Sequence, residues 1–341
     1  MKLNKLLAAL AASLTVTLAA PVHAQTEVPW GTSAVGSSGH KALVALEGLL
    51  NKEWKGYNIT TQPTPGAIVS VKGFATGQFK GMYGSDVAFY EFANDTARFK
   101  GFKAQVKNEP VQSMWTFTVE VGLGIHSRDR GTIKKWSDLS GKRVFTGPLP
   151  WDTRAQIERA MAAVGVKHEY QEVDLSAVGS LLEQGSIKGF LTYTNAEATT
   201  APWISEAGLA ADWAVLNPAA DELATLRSKG FAIVDVKPGN IFGKNVHAES
   251  VTLIPFFYGF HLGLDVPADD VYRLLEIVEN NASELVKGDK GFSQIANDMK
   301  GMQRRGVESS IDFVRVHPGL ARWMRDRGVW NGKWDARVAK Q

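Results

Sequence analysis

Gly31-Thr32-Ser33-Ala34-Val35-Gly36-Ser37-Ser38-Gly39 is the stretch on which the reading of this chain turns. Its residues are mostly small. Residues 28–32 ahead of it read as a short strand. Behind it Leu43, Leu46 and Leu50 recur at i, i+3 and i+7, the spacing of one helix face. The stretch is therefore a tight strand-to-helix turn. Gly and Ser let backbone N–H groups approach a ligand, and the helix adds the positive end of its dipole. A carboxylate or phosphate fits such a place. An equal reading is a structural turn with Ser37 or Ser38 as the helix N-cap.

The unit repeats outward. Residues 57–62 form a second strand, Pro63-Thr64-Pro65-Gly66 a turn, 68–76 a helix and 81–89 a third strand. Strand, small-residue turn and helix in alternation predict an α/β sheet with parallel strands. Residues 112–126, with Trp115, Phe117, Val119, Val121 and Leu123 in alternation, read as a first crossover into a second lobe. Strands follow at 142–146, 167–173 and 187–193. Ile157, Ala160, Met161 and Val164 mark one intervening helix, and Leu175, Val178 and Leu182 another. Residues 231–236 begin the return. Residues 250–264 read as the second crossover, a strand that Pro255, Gly259 and His261 break before a second short element. Val271, Leu274, Leu275, Val278, Ala282 and Leu285 give a regular helical stripe, and Pro318-Gly319 opens a last helix. Two crossings make a hinge, and a hinge makes a cleft. The expected division is lobe one at 25–124, lobe two at 125–235 and a return to lobe one at 236–341.

The first 24 residues set the compartment. Lys2 and Lys5 precede an apolar run at 6–20, and Val22-His23-Ala24 supplies small residues for a cut near Ala24. This is the layout of a secretory signal peptide, and it predicts a periplasmic protein. No later segment reads as a membrane span. The chain has no cysteine, which excludes disulfides, a thiol-linked lipid and a thiolate nucleophile. The net charge of +3 falls near +1 without Lys2 and Lys5. That balance argues against a nucleic-acid groove.

A second loop matches the first in kind. Gly147-Pro148-Leu149-Pro150-Trp151-Asp152-Thr153 lies between a strand and a helix of lobe two. Thr153 and Gln156 have capping-box spacing, so the helix is expected to start there. Arg154 in the first turn is unfavourable to the dipole, which predicts an anionic partner. Trp151 either stacks on a ligand or packs at the helix entrance. Ligands of open α/β sheets bind beyond the carboxyl ends of strands. That rule brings Gly66, Ala67, Tyr83 and Tyr193 towards the same cleft, along with Thr32, Ser33, Ser37 and Ser38. Catalytic patterns are weak. Gly141-Lys142 is followed by Arg143, so there is no phosphate-binding loop of the Walker kind, and Gly122-Leu123-Gly124 lacks a third glycine. The histidines have no metal-binding spacing. No catalytic residue, metal or cofactor is expected, and the chain is expected to act as a monomer.

Five segments, the opening turn among them, share an order with a known family. Gly31-Thr32-Ser33-Ala34-Val35-Gly36-Ser37 resembles the opening turn G-T-G-S-T-G-G of the TAXI group of solute receptors, which serve TRAP transporters. Pro65-Gly66-Ala67-Ile68-Val69-Ser70 is similar to that group's G-G-S-x-x-N. Gly124-Ile125-His126-Ser127 with Leu139-Ser140-Gly141-Lys142-Arg143-Val144 resembles its G-I-x-S … L-K-G-K-R-V, and Val316-His317-Pro318-Gly319 its closing H-P-G. The resemblance implies a two-lobed, type II periplasmic-binding fold. It implies a small-molecule ligand and delivery to TRAP-type membrane permease subunits. It places ligand contacts at Ser33 and Ser37, at Gly66 and Ala67, and at Trp151, Asp152 and Thr153. Ala34-Val35 and Pro150-Trp151-Asp152-Thr153 depart from the group's pattern at those loops. The ligand class implied is a small organic anion, carboxylate or amino-acid-like. Other readings are a periplasmic enzyme on the same fold, with Asp152, His40 or Asp86 as base, a sensor subunit, and a tripartite tricarboxylate-type receptor.

Overall fold

A computed structural model describes residues 25–239 and 241–341. The expected signal peptide, residues 1–24 with its cut near Ala24, lies outside them. The first half of the described chain alternates strand and helix. It runs β1 (Thr26–Gly31), α1 (Ser38–Glu53), β2 (Tyr57–Gln62), α2 (Ala67–Ala75), β3 (Gly81–Ser85) and α3 (Asp86–Asn94). The long β4 (Trp115–His126) follows. Next come β5 (Arg143–Phe145), α4 (Asp152–Ala163), β6 (Glu169–Tyr170), α5 (Val178–Glu183), β7 (Gly189–Asn195) and β8 (Thr199–Thr200). Then come α6 (Pro202–Ala210), β9 (Trp213–Leu216), α7 (Ala220–Ser228) and β10 (Val234–Val236). A second long strand, β11 (Val251–Leu262), leads to α8 (Ala268–Gly288), α9 (Ser293–Ser310) and α10 (Pro318–Asp326).

The sheet order is β2-β1-β3-β11-β4-β7-β5-β6, with β8, β9 and β10 beside it. β4 and β11 are antiparallel neighbours, and each changes partner along its length. Residues 115–121 of β4 pair with β11, whereas 119–124 pair with β7 and 123–126 with β9. The 251–253 end of β11 pairs with β10, and 258–262 pair with β3. Each strand thus begins in one lobe and ends in the other. Every residue of β4 is buried, as a central strand covered on both faces must be. Glu120 sits in this hinge strand with its carboxylate on the Thr194 hydroxyl (2.5 Å) and the Glu197 N–H (3.0 Å). Burial raises it to about 8, against the pull of those hydrogen bonds.

On the strand pairing we assign the switch between lobes to 119–121 on β4 and 254–256 on β11. Residues 237–239 and 241–250 then go with lobe two. Phe242 packs its ring on Trp213 at 5.9 Å, and Arg130 reaches the His247 carbonyl at 2.6 Å. On this assignment the return to lobe one comes with β11, whereas the sequence placed it from residue 236.

Several local expectations change. The strand expected at 81–89 ends at Ser85, because the Ser85 hydroxyl accepts the Ala88 N–H (3.0 Å) and caps α3. The strand expected at 167–173 shrinks to Glu169–Tyr170. The second crossover is one unbroken strand. A register shift between Tyr258 and Gly259 absorbs the irregularity, and a side chain at Gly259 would meet the Met114 carbonyl at 2.3 Å. Pro255 is accommodated opposite Glu120. The stripe of α8 is as expected: Val271, Leu274, Leu275, Val278, Ala282 and Leu285 are its buried residues. Among the described residues no helix is long and apolar enough to cross a membrane.

Candidate functional site

A small cavity lies where the two matched βα turns meet. Lobe one supplies Ser33, Ser37, Ser38, Gly39, Ala67 and Tyr83. Lobe two supplies Trp151, Thr153, Tyr193 and Asn195, and the hinge strands supply Val119 and Tyr258. The space between these walls is about 340 Å³, part of it open to solvent. The site suits a small molecule held between the two turns.

The lobe-one wall is the start of α1. Ser37 caps the helix by accepting the His40 N–H at 3.3 Å, and its hydroxyl meets that of Ser33 at 2.5 Å. The N–H groups of Ser38 and Gly39 fall in the first turn, where no intrahelical acceptor exists. Gly39 is required by packing, since a Cβ there would come within 2.4 Å of the Tyr83 ring. Tyr83 stacks on Tyr258 with centroids 4.4 Å apart. Burial holds both phenols well above their usual range, so they act as neutral hydroxyls. Tyr193 is raised to about 12 by burial, against hydrogen bonding from Trp203 and Ser38.

The lobe-two wall is built differently. The α4 N-cap is Trp151, with no side-chain cap bond, so the expected capping box of Thr153 and Gln156 does not form. The Trp151 indole N–H instead donates to the Pro65 carbonyl of lobe one at 3.1 Å. Asp152 is fully buried and faces lobe one. Its carboxylate accepts the Ser85 hydroxyl at 2.5 Å and an Arg98 guanidinium N–H at 2.6 Å. Arg98 also holds Glu91 at 2.8 Å. Burial alone would favour loss of its proton, but Asp152 and Glu91 keep it charged. Pro150 packs so closely on Gly66 that a Cβ on Gly66 would lie 2.7 Å from the Pro150 carbonyl.

Of the twelve residues expected to contact a ligand, eight line the cavity: Ser33, Ser37, Ser38, Ala67, Tyr83, Trp151, Thr153 and Tyr193. Four do not. Asp152 is taken by Ser85 and Arg98. Gly66 serves the contact with Pro150. The Thr32 carbonyl accepts the Thr64 hydroxyl at 2.5 Å, which ties the first turn to the second. Arg154 finds its anion within its own helix, at Glu158 (2.9 Å), and lies over the Tyr170 ring at 3.5 Å. Asp86, raised to about 7 by burial, opens α3 behind Ser85, outside the cavity wall. Val119, Asn195 and Tyr258 join the site from strand positions. The end of β7 at Asn195 was a readable signal. Val119 and Tyr258 depend on the register of the hinge strands, which has no local signature.

No protein-family model matches the chain, and no curated protein matches it. Solved structures do. A periplasmic transporter covers 84% of this chain and 95% of its own, with a TM-score of 0.51 and 10% identity. The periplasmic aliphatic sulphonate binding protein of Escherichia coli is similar over 92% of this chain and 89% of its own, at a TM-score of 0.41 and 13% identity. The ligand-binding component of an ABC-type import system from Staphylococcus aureus covers 93% and 100%, at 0.44 and 10%. The first of these likenesses carries the fold. It is the α/β, two-lobed fold of periplasmic binding proteins, with two chain crossovers.

Proposed function

We propose that this protein is a periplasmic solute-binding receptor of the TAXI kind, which captures a small organic anion between its lobes and delivers it to TRAP-type permease subunits. The observation that carries this reading is the cavity between two helix starts from opposite lobes. Hydroxyls, amides and aromatic rings line it. No pair of side chains there has the arrangement of a nucleophile and its base, which supports binding rather than bond-making. The open form exposes both turns, and a ligand that favours the closed form shifts the balance towards it.

A thermal-shift screen of organic acids tests the reading. A ligand that binds only the native state raises stability by mass action, by about 2.7 kcal/mol at a hundredfold excess over Kd. At least one acid is expected to raise Tm. No stabilisation by any acid, with the protein folded, removes the organic-anion reading. Uptake by vesicles carrying the permease, driven by an ion gradient without ATP, separates the TRAP reading from other import systems.

A further inference from the structure

We infer that the cavity selects a small monoanion that also carries a hydrogen-bond donor, and that Asn195 is the acceptor that reads the donor. The inference rests on the receptor reading above. The cavity wall contains no lysine, arginine or histidine and no carboxylate. Its positive potential comes from two helix starts, α1 with 16 residues and α4 with 12. Each is equivalent to roughly half an elementary charge, so together they balance about one negative charge. Asp152, beside the cavity, shares the Arg98 guanidinium with Glu91, so that group leaves no positive charge over for the ligand. A dianion would bring a second charge into a buried space with nothing to meet it.

The side chains point the same way. Ser33 and Ser37 share one hydroxyl proton between them, and Ser37 also accepts from the His40 N–H. One hydroxyl proton of the pair therefore stays free for an acceptor on the ligand. Thr153, 6% exposed, has a hydroxyl with no partner. Asn195 is 2% exposed, and its Oδ1 has no partner either. A carbonyl oxygen can only accept, so the group that satisfies it must donate. An acid with no donor leaves that oxygen buried and unpaired, which weakens binding about ten- to a hundredfold.

Calorimetric titration with matched probes tests this. Lactate against propionate, and 2-hydroxyisovalerate against isovalerate, differ by one donor. Lactamide removes the charge, and malate adds a second. The hydroxy acid of a pair is expected to bind at least about tenfold tighter than its partner. Lactamide and malate are expected to bind more weakly than lactate. In Asn195→Leu, and in Asn195→Ala should the first variant fold poorly, the ratio within a pair is expected to fall to about one. Equal affinities within both pairs, or a preference that survives both variants, overturn the role of Asn195. Tighter binding of lactamide or malate overturns the monoanion. Either result leaves the receptor reading standing. Failure of every acid, amide and amine to bind the folded protein removes that reading as well.

Discussion

The two βα turns that face the cavity have the same layout and different duties. The turn at 31–39 keeps its side chains largely at home, with Ser38 alone reaching Tyr193 of the other lobe. Ser37 caps its own helix, Ser33 bonds Ser37, and three serines remain at the cavity. The turn at 147–153 reaches across. Pro150 rests on Gly66, Trp151 donates to Pro65, and Asp152 binds Ser85 and Arg98. Only Thr153 leaves a free hydroxyl for the ligand. One turn holds the ligand, and the other holds the opposite lobe. A trap built this way separates how tightly it closes from what it closes on.

Removing the guanidinium is the largest way to break the comparison. Arg98→Ala leaves the buried carboxylates of Asp152 and Glu91 without their cation. Stability in denaturant is expected to fall by about 3 kcal/mol, and ligand affinity to fall with it. Arg98→Met with Asp152→Asn and Glu91→Gln is expected to recover most of the stability while the lobes stay less firmly closed. If Arg98→Ala binds as tightly as the parent, the Asp152 contact does not hold the lobes together.

A smaller effect comes from Gly66→Ala. The added methyl would crowd the Pro150 carbonyl only in the closed form. Affinity is expected to fall about tenfold as the closed fraction falls. The radius of gyration at saturating ligand, from small-angle scattering, is expected to rise. An unchanged radius with unchanged affinity would show that the turns do not meet this closely in solution.

The finest distinction compares two hydroxyls. Ser37→Ala removes a cap as well as a ligand donor, so thermal stability without ligand is expected to drop by about 1 kcal/mol. Thr153→Val removes a buried hydroxyl that has no partner, so stability is expected to hold or rise slightly while affinity falls. A stability loss of the same size in both would erase the difference between the turns.

The general plan was legible in the sequence because it is local. Periodicity marked α1 and α8, and small residues marked the turns between strands and helices. The hinge was legible as two crossings, but not its detail. Pro255 and Gly259 read as breaks, although the sheet on either side carries β11 straight past them. The start of α3 was hidden because Ser85 completes a strand and caps a helix at once. Asp152 shows the other limit. In sequence it is a polar residue in a promising loop. Its partners Ser85 and Arg98 are far away along the chain, so nothing nearby says that it serves the opposite lobe. Tyr193 was read as part of the cleft, but the unpaired oxygen of Asn195, two residues on, is visible only once its neighbours are placed.

The place of β11 in the sheet has a consequence for assembly during synthesis. It lies between β3 and β4, so Ser85 finds its partner only when Tyr258 has been made. The lobe that emerges first is therefore the last to be finished. Lobe two is drawn from one contiguous stretch and can collect its strands early. Lobe one must keep the flank of β3 uncovered until β11 arrives from far down the chain. Pairing across such a sequence distance slows folding, and it leaves the nascent protein unlatched until its second long strand is in place.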